Sequence, residues 1–280
     1  MSDNLPTNRI QLFGYNFKRW DTMLSLSLLV GLFALPLFAV VMASAIIDAD
    51  ITRQLQAATE QADKYAYTIR LLRADSVCAL ISVVAFYPFC LGISGALYYC
   101  KKTAWAEGAT LGYDFWHGVK LSFKDAIVPS LFAALTYIFY VSVKWFVTYY
   151  VTDTAFKVVA LALAAVVICT ISAAVMFDLT QSKVYDGAVG HRVKNSIVFA
   201  LARFFRNILA MVCTFAPMAL MLWLAPQVGA QLIAFGLYTL YGFGSIAFGQ
   251  TLYAHSVFDD LVNKEHYPEV VRKGLSGNDK

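Results

Sequence analysis

The sequence predicts an all-α, polytopic membrane protein with six transmembrane helices. Three observations carry that prediction. Charged residues make up only 14% of the 280 residues, and mean hydropathy is +0.61, whereas an ordinary soluble domain carries roughly 25% charge. Several long stretches contain no formal charge. None of them alternates with the period of two that a transmembrane barrel requires. So little charged surface leaves no room for a large soluble domain beside the membrane part.

The uncharged runs place the spans in order. They cover 22–47, 76–100, 126–143 and 158–177, and one last run of 52 residues covers 207–258. A bilayer core takes about 20 helical residues, so the last run must hold two helices. Ala225-Pro226-Gln227-Val228-Gly229 supplies the turn between them. The six expected spans are then 22–47, 76–100, 126–147, 157–177, 207–225 and 230–255. Pro36, Pro88, Pro129 and Pro217 fall within spans and are expected as tolerated kinks. Residues 48–75 are rich in Ala, Gln and charge. Their apolar positions have near-helical spacing, so they should extend the first two spans as a helical hairpin outside the membrane.

Basic residues orient the chain. The N-terminal segment, the segments after the second and fourth spans, and the C-terminal tail hold sixteen lysines and arginines together. The opposite side holds five: Arg53, Lys64, Arg70, Arg73 and Lys157. The positive-inside rule puts both termini in the cytoplasm.

Three basic segments, at 8–20, 110–125 and 190–206, read as amphipathic helices lying in the headgroup plane. In the second, Leu111, Phe115, Trp116, Val119, Phe123 and Ala126 share one arc at 100° per residue. Tyr113, Asp114, His117, Lys120, Lys124 and Asp125 share the other. The apolar arc is expected to face the bilayer. In the third, Val193, Ile197, Ala200, Leu201, Phe204 and Phe205 form the apolar arc. An aromatic–basic pair precedes each odd span: Phe17-Lys18, Phe123-Lys124 and Phe205-Arg206. One reading is a threefold repeat of hairpins, each prefaced by an interfacial helix. The other is convergence, because membrane interfaces favour such residues wherever a chain enters.

Chemistry is sparsely signalled. The four histidines are scattered, and there is no H-E-x-x-H, phosphate loop or nucleophile elbow. No catalytic residue, metal site or cofactor is expected, and nothing points to nucleic acid. The five cysteines form no C-x-x-C pair and read as buried reduced thiols. Lys144 is the one charge flanked by apolar span on both sides. The favoured reading has it snorkelling at the outer interface beside Trp145, Tyr149 and Tyr150; the sharper one makes it an ion or substrate ligand. The candidate surface for docking or lipid contact is Lys101, Lys102, Asp114, Phe115, Trp116, Lys120, Phe123 and Lys124. Anionic headgroups are its first expected partner. If the chain were a transporter, Ser94, Thr136, Thr170, Ser172 and Gln250 would line its path.

From Pro88 to Asp125 the sequence resembles the YesL family of bacterial integral membrane proteins, known as domain of unknown function 624. The resemblance rests on Pro88, the Gly92–Ala96 spacing, the exit from Tyr98 to Lys101, and the aromatic linker with Asp114-Phe115 and Phe123-Lys124. It implies a multi-pass protein of the bacterial plasma membrane, of a kind often encoded beside carbohydrate ABC transporters or glycan-degrading enzymes. It supplies no catalytic residues. The expected function is a non-catalytic accessory or regulatory protein partnered with a carbohydrate transport system. The alternative is a small-solute transporter or channel.

Overall fold

In the computed structural model the described residues are 6–224 and 228–275, with side chains described outside 218–228. Among them there is no strand. The element order is short, long, long, three times over. Helix α1 (Arg9–Phe17) leads into α2 (Trp20–Ala57) and α3 (Gln61–Ala104). Helix α4 (Leu111–Leu121) leads into α5 (Ile127–Tyr149) and α6 (Thr154–Val184). Helix α7 (Val189–Ala202) leads into α8 (Phe204–Leu224), α9 (Val228–Leu237) and α10 (Phe243–Phe258). A π-helical turn at Tyr238–Gly242 joins α9 to α10, and another at Asp259–Asn263 carries the chain into the short α11 (Lys264–His266).

Among the described residues, five helices are long and apolar enough to cross a membrane: α2, α3, α5, α6 and the run Gly229–His266. The count becomes six if the bent pair Val189–Ala202 and Phe204–Pro217 forms one span. That pair meets at 93°, so α7 lies crosswise to α8. Large apolar side chains stand exposed along the spans, Leu80 at 65%, Val84 at 76%, Leu135 at 59% and Leu163 at 63% among them. Such a belt would aggregate in water and is what hydrocarbon requires. The fold is that of an all-α, multi-pass membrane protein.

The hairpin after the first span is helical almost to its tip. Helix α2 ends at Ala57 and α3 starts at Gln61, so only three residues make the turn. The expected break near Pro226 lies largely outside the described residues, as does Lys280 of the basic tail. Pro129 proves not to be a kink. It sits in the first turn of α5, where no intrahelical N–H is needed.

Helix α3 is the hub. From Cys90 to Cys100 every residue but Tyr98 is buried. Small side chains make this possible. A Cβ built on Gly92 would come 2.6 Å from Phe33 Cβ, and one on Gly95 would come 2.9 Å from the Phe115 carbonyl oxygen. Helix α4 answers with its own glycine: a Cβ on Gly118 would lie 2.5 Å from Tyr98 Cβ and 3.1 Å from Gly95 Cα. In a bilayer, where lipid tails are as apolar as leucine, this close backbone approach drives association. On the last helix the tight contact is at Gly244. Its N–H donates to Ser27 Oγ at 2.7 Å, and a Cβ there would meet the Met23 carbonyl oxygen at 2.6 Å.

Gly244→Ala should therefore destabilise the fold by about 2 kcal/mol, a typical overpacking cost. Gly14→Ala meets nothing within 4 Å and should be neutral or gain up to about 1 kcal/mol from helix propensity. Unfolding of both variants in mixed micelles checks the contrast.

Candidate functional site: the α4 platform and the ion pairs at both ends

The three short helices, the N-terminal segment and the C-terminal segment gather at one end of the bundle. Arg9 pairs with Asp259 at 2.5 Å, and Arg272 Nη2 donates to the Thr7 carbonyl at 3.1 Å, so the two chain ends are held together. The π turn at Asp259–Asn263 turns Asp259 toward both segments, since it also accepts from the Arg272 N–H at 3.3 Å. Tyr185 donates to Asn263 Oδ1 at 2.5 Å and ties the end of α6 to the same turn. Lys101 donates to the carbonyl of Lys183 in the last turn of α6 at 2.8 Å, where a cation complements the helix dipole. Its ammonium also lies 4.4 Å from the Trp105 ring, while Lys273 lies 4.2 Å from the same ring.

Helix α4 is fixed to this end from below. Phe115 is fully buried and meets Phe33 edge-on at 5.9 Å, while Val119 packs against Gly95. Asp114 is buried too. It accepts from Lys102 Nζ at 2.8 Å and from the Thr110 N–H at 2.6 Å, which starts the helix. Burial alone would raise its pKa. Those two hydrogen bonds and the Lys102 charge outweigh it and hold the carboxyl below its ordinary value of 3.8.

Two sequence expectations change here. The apolar arc of α4 does not lie wholly against lipid: Phe115, Val119 and Ala126 pack on protein, and Asp114 goes inward with them. The cause is the Gly95–Gly118 approach, which brings α4 down onto α3. Of the eight candidate surface residues, Trp116, Lys120, Phe123 and Lys124 face outward. Lys101 and Lys102 are half-buried and engaged, and Asp114 and Phe115 are internal. The outward face adds Tyr113, 71% exposed and stacked on His117, and Leu121. Helix α7 keeps Ile197, Leu201 and Phe205 of its expected lipid-facing arc exposed, but its rotation buries Ala200 of that arc together with Arg192, Ser196 and Phe199. Polar partners set that rotation. Arg192 binds Asp125 at 2.8 Å, Gln181 donates to Ser196 at 2.8 Å, and Asn207 caps the carbonyls of Phe199 and Ala200.

At the opposite end, Lys144 does not merely snorkel. Its ammonium lies 3.0 Å from Asp75 and 3.3 Å from Asp48. Trp145 donates its indole N–H to Asp75 at 2.8 Å, and Ser44 approaches the same carboxylate at 3.4 Å. Asp75 is only 3% exposed, so this is a buried carboxylate with a full set of donors. Both acids flank the charged hairpin at 48–75, which was the available sequence signal. The 69 and 96 residues separating them from Lys144 hid the pairing.

The five candidate path residues are not assembled into one lining. Thr136 and Thr170 spend their hydroxyls on the carbonyls of Phe132 and Val166, one turn back. Only Thr170 borders the crevice between α5, α6 and α7. Ser94 and Gln250 are buried on α3 and α10, and Ser172 is half-buried. Four cysteines are buried, as expected, but Cys213 is exposed on α8. Among the described residues no group of three metal-ligating side chains occurs. No protein-family model, curated protein or solved structure matches the chain.

The Asp114 linkage has a defined sign. A carboxyl held below 3.8 in the fold contributes stability that is complete above 3.8 and is lost as pH falls through the lower folded value. Hydroxyl-radical footprinting of Phe115 should find it protected from neutral pH down to about 4, with labelling only below. Labelling that rises already at about pH 5 would show that the Asp114–Lys102 pair does not hold α4 down.

Proposed function

We propose that the chain is a non-catalytic accessory or regulatory protein of a bacterial plasma membrane, with both termini in the cytoplasm. It docks to the membrane subunits of a transport system through the outward face of α4. The observation that carries this reading is the two-sidedness of α4. One side is locked to the bundle by Gly118, Phe115 and the Asp114–Lys102 pair. The other presents Tyr113, Trp116, Lys120, Leu121 and Phe123. A rigid aromatic face with basic residues at headgroup depth suits both anionic lipid and a membrane-embedded partner. The excess of basic residues at this end supports the orientation. The likeness of Pro88–Asp125 to the YesL family supports carbohydrate uptake as the system served.

The alternative, a small-solute transporter or channel, needs a polar path through the bundle. The scatter of Ser94, Thr136, Thr170, Ser172 and Gln250 gives it less support.

The test is photo-crosslinking in native membranes from probes at Tyr113 and Lys120, with Trp116→Ala as the control. The reading predicts a crosslink to the membrane subunit of a carbohydrate transporter that falls at least about fivefold in Trp116→Ala, since truncating a central interface aromatic costs more than about 1 kcal/mol. Lipid adducts alone, unchanged in the variant, would leave α4 as a bilayer anchor and defeat the accessory reading.

A further inference from the structure

The ion cluster at the end of the bundle opposite α4 is unevenly charged. Asp48 on α2 and Asp75 on α3 both bind Lys144 on α5, at 3.3 and 3.0 Å. Two acids thus share one ammonium, which leaves one negative charge when both are ionised. The acids are not equally served. Asp75 also accepts from the Trp145 indole at 2.8 Å, and Ser44 approaches it at 3.4 Å. A carboxylate offers about four acceptor sites, so these three donors leave one free. Asp48 has only the longer contact to Lys144 through Oδ2, and its Oδ1 is shut from solvent with no donor among the described residues.

A proton resolves this mismatch. Taken up by Asp48, it makes the cluster neutral and lets Asp48 donate to Asp75, a hydrogen bond that two carboxylates cannot make. Burial raises the pKa of Asp48 above 3.8; the Lys144 charge opposes that rise, and the Asp75 charge adds to it. The titratable groups lining the cluster are Asp75 and Cys78 from α3 and Lys144 and Tyr137 from α5. The Asp48 side chain is 26% exposed, so a proton reaches it from the water at this end.

We propose that Asp48, Asp75 and Lys144 form a proton-operated clasp at the base of the 48–75 hairpin: in acid Asp48 holds one proton and bridges α2 to α3, and as pH rises it releases that proton to the surrounding water and the hairpin loosens. Loosening follows because the bridging bond is lost and two like charges then face each other across one lysine. With both termini cytoplasmic, as proposed above, this end faces outward and the clasp responds to external acidity. The sign is defined. A carboxyl whose folded pKa lies above 3.8 contributes stability that is complete below 3.8 and is lost as pH rises through the folded value. That is opposite to Asp114, whose contribution is lost as pH falls, so a general acid response of the protein cannot imitate it.

Infrared difference spectroscopy and amide hydrogen exchange of the purified full chain in lipid nanodiscs test the clasp. The wild-type spectrum minus that of Asp48→Asn isolates the carbonyl band of protonated Asp48. Its midpoint should lie above 3.8, and protection factors of the amides in 49–74 should fall at least about threefold across the same midpoint while those of α4 hold. Asp48→Asn is neutral at every pH and able to donate to Asp75, so it should keep the hairpin protected throughout. A midpoint at or below 3.8 overturns the proposal, as does hairpin exchange that still varies with pH in a folded Asp48→Asn protein. The wild-type exchange profile decides without any variant: hairpin protection that stays flat, or increases, from pH 3.8 to neutral overturns the proposal as well.

Discussion

The structure depends on a steric constraint on α3: between Cys90 and Cys100 there is space only for small side chains on the faces that meet α2 and α4. Gly92 admits Phe33, and Gly95 admits the backbone of α4. Ser94, Ala96 and Cys100 are fully buried beside them. Water cannot press these helices together inside a bilayer, so close contact must do so, and bulk at these positions would open the bundle. The same device recurs where Gly244 takes the Ser27 hydroxyl against its N–H, seating α10 on α2. Small residues therefore set the distances, and larger aromatics such as Phe115 and Phe248 fill what remains.

Electrostatics follows from that packing. Once α3 and α4 touch, Asp114 has no route to solvent and must be met by Lys102. Once α2, α3 and α5 touch at the other end, Asp75 must be met by Lys144, Trp145 and Ser44. Charge is thus confined to the two ends, and the buried carboxylates Asp75, Asp114 and Asp259 are each met by a cation of the protein. Asp178 is met more loosely, with Arg192 Nε 3.7 Å away while Arg192 Nη1 turns to Asp125.

Much of this was legible in the sequence. Charge-free runs located the long helices, and the amphipathic segments located the short ones, because burial in hydrocarbon and length are properties of single segments. The short–long–long order follows directly from them. What could not be read was rotation. Helical periodicity assigned Asp114 to the polar outer arc and Ala200 to an arc facing the bilayer. The Gly95–Gly118 contact and the Arg192–Asp125 pair reversed those assignments. Both depend on partners in other elements, as does the capture of Lys144 by acids 69 and 96 residues away. Periodicity reports that a helix has two faces, whereas the neighbours decide which one is covered.

The central claim is that the small-residue surface of α3 positions α4, and amide hydrogen exchange of Gly95→Ala in lipid nanodiscs tests it most directly. A Cβ at that position comes within 2.9 Å of the Phe115 carbonyl. The account predicts that α4 amides exchange at least about tenfold faster than in the wild-type chain, while those of the α5–α6 pair are unchanged. Wild-type protection of α4 in that variant would contradict it.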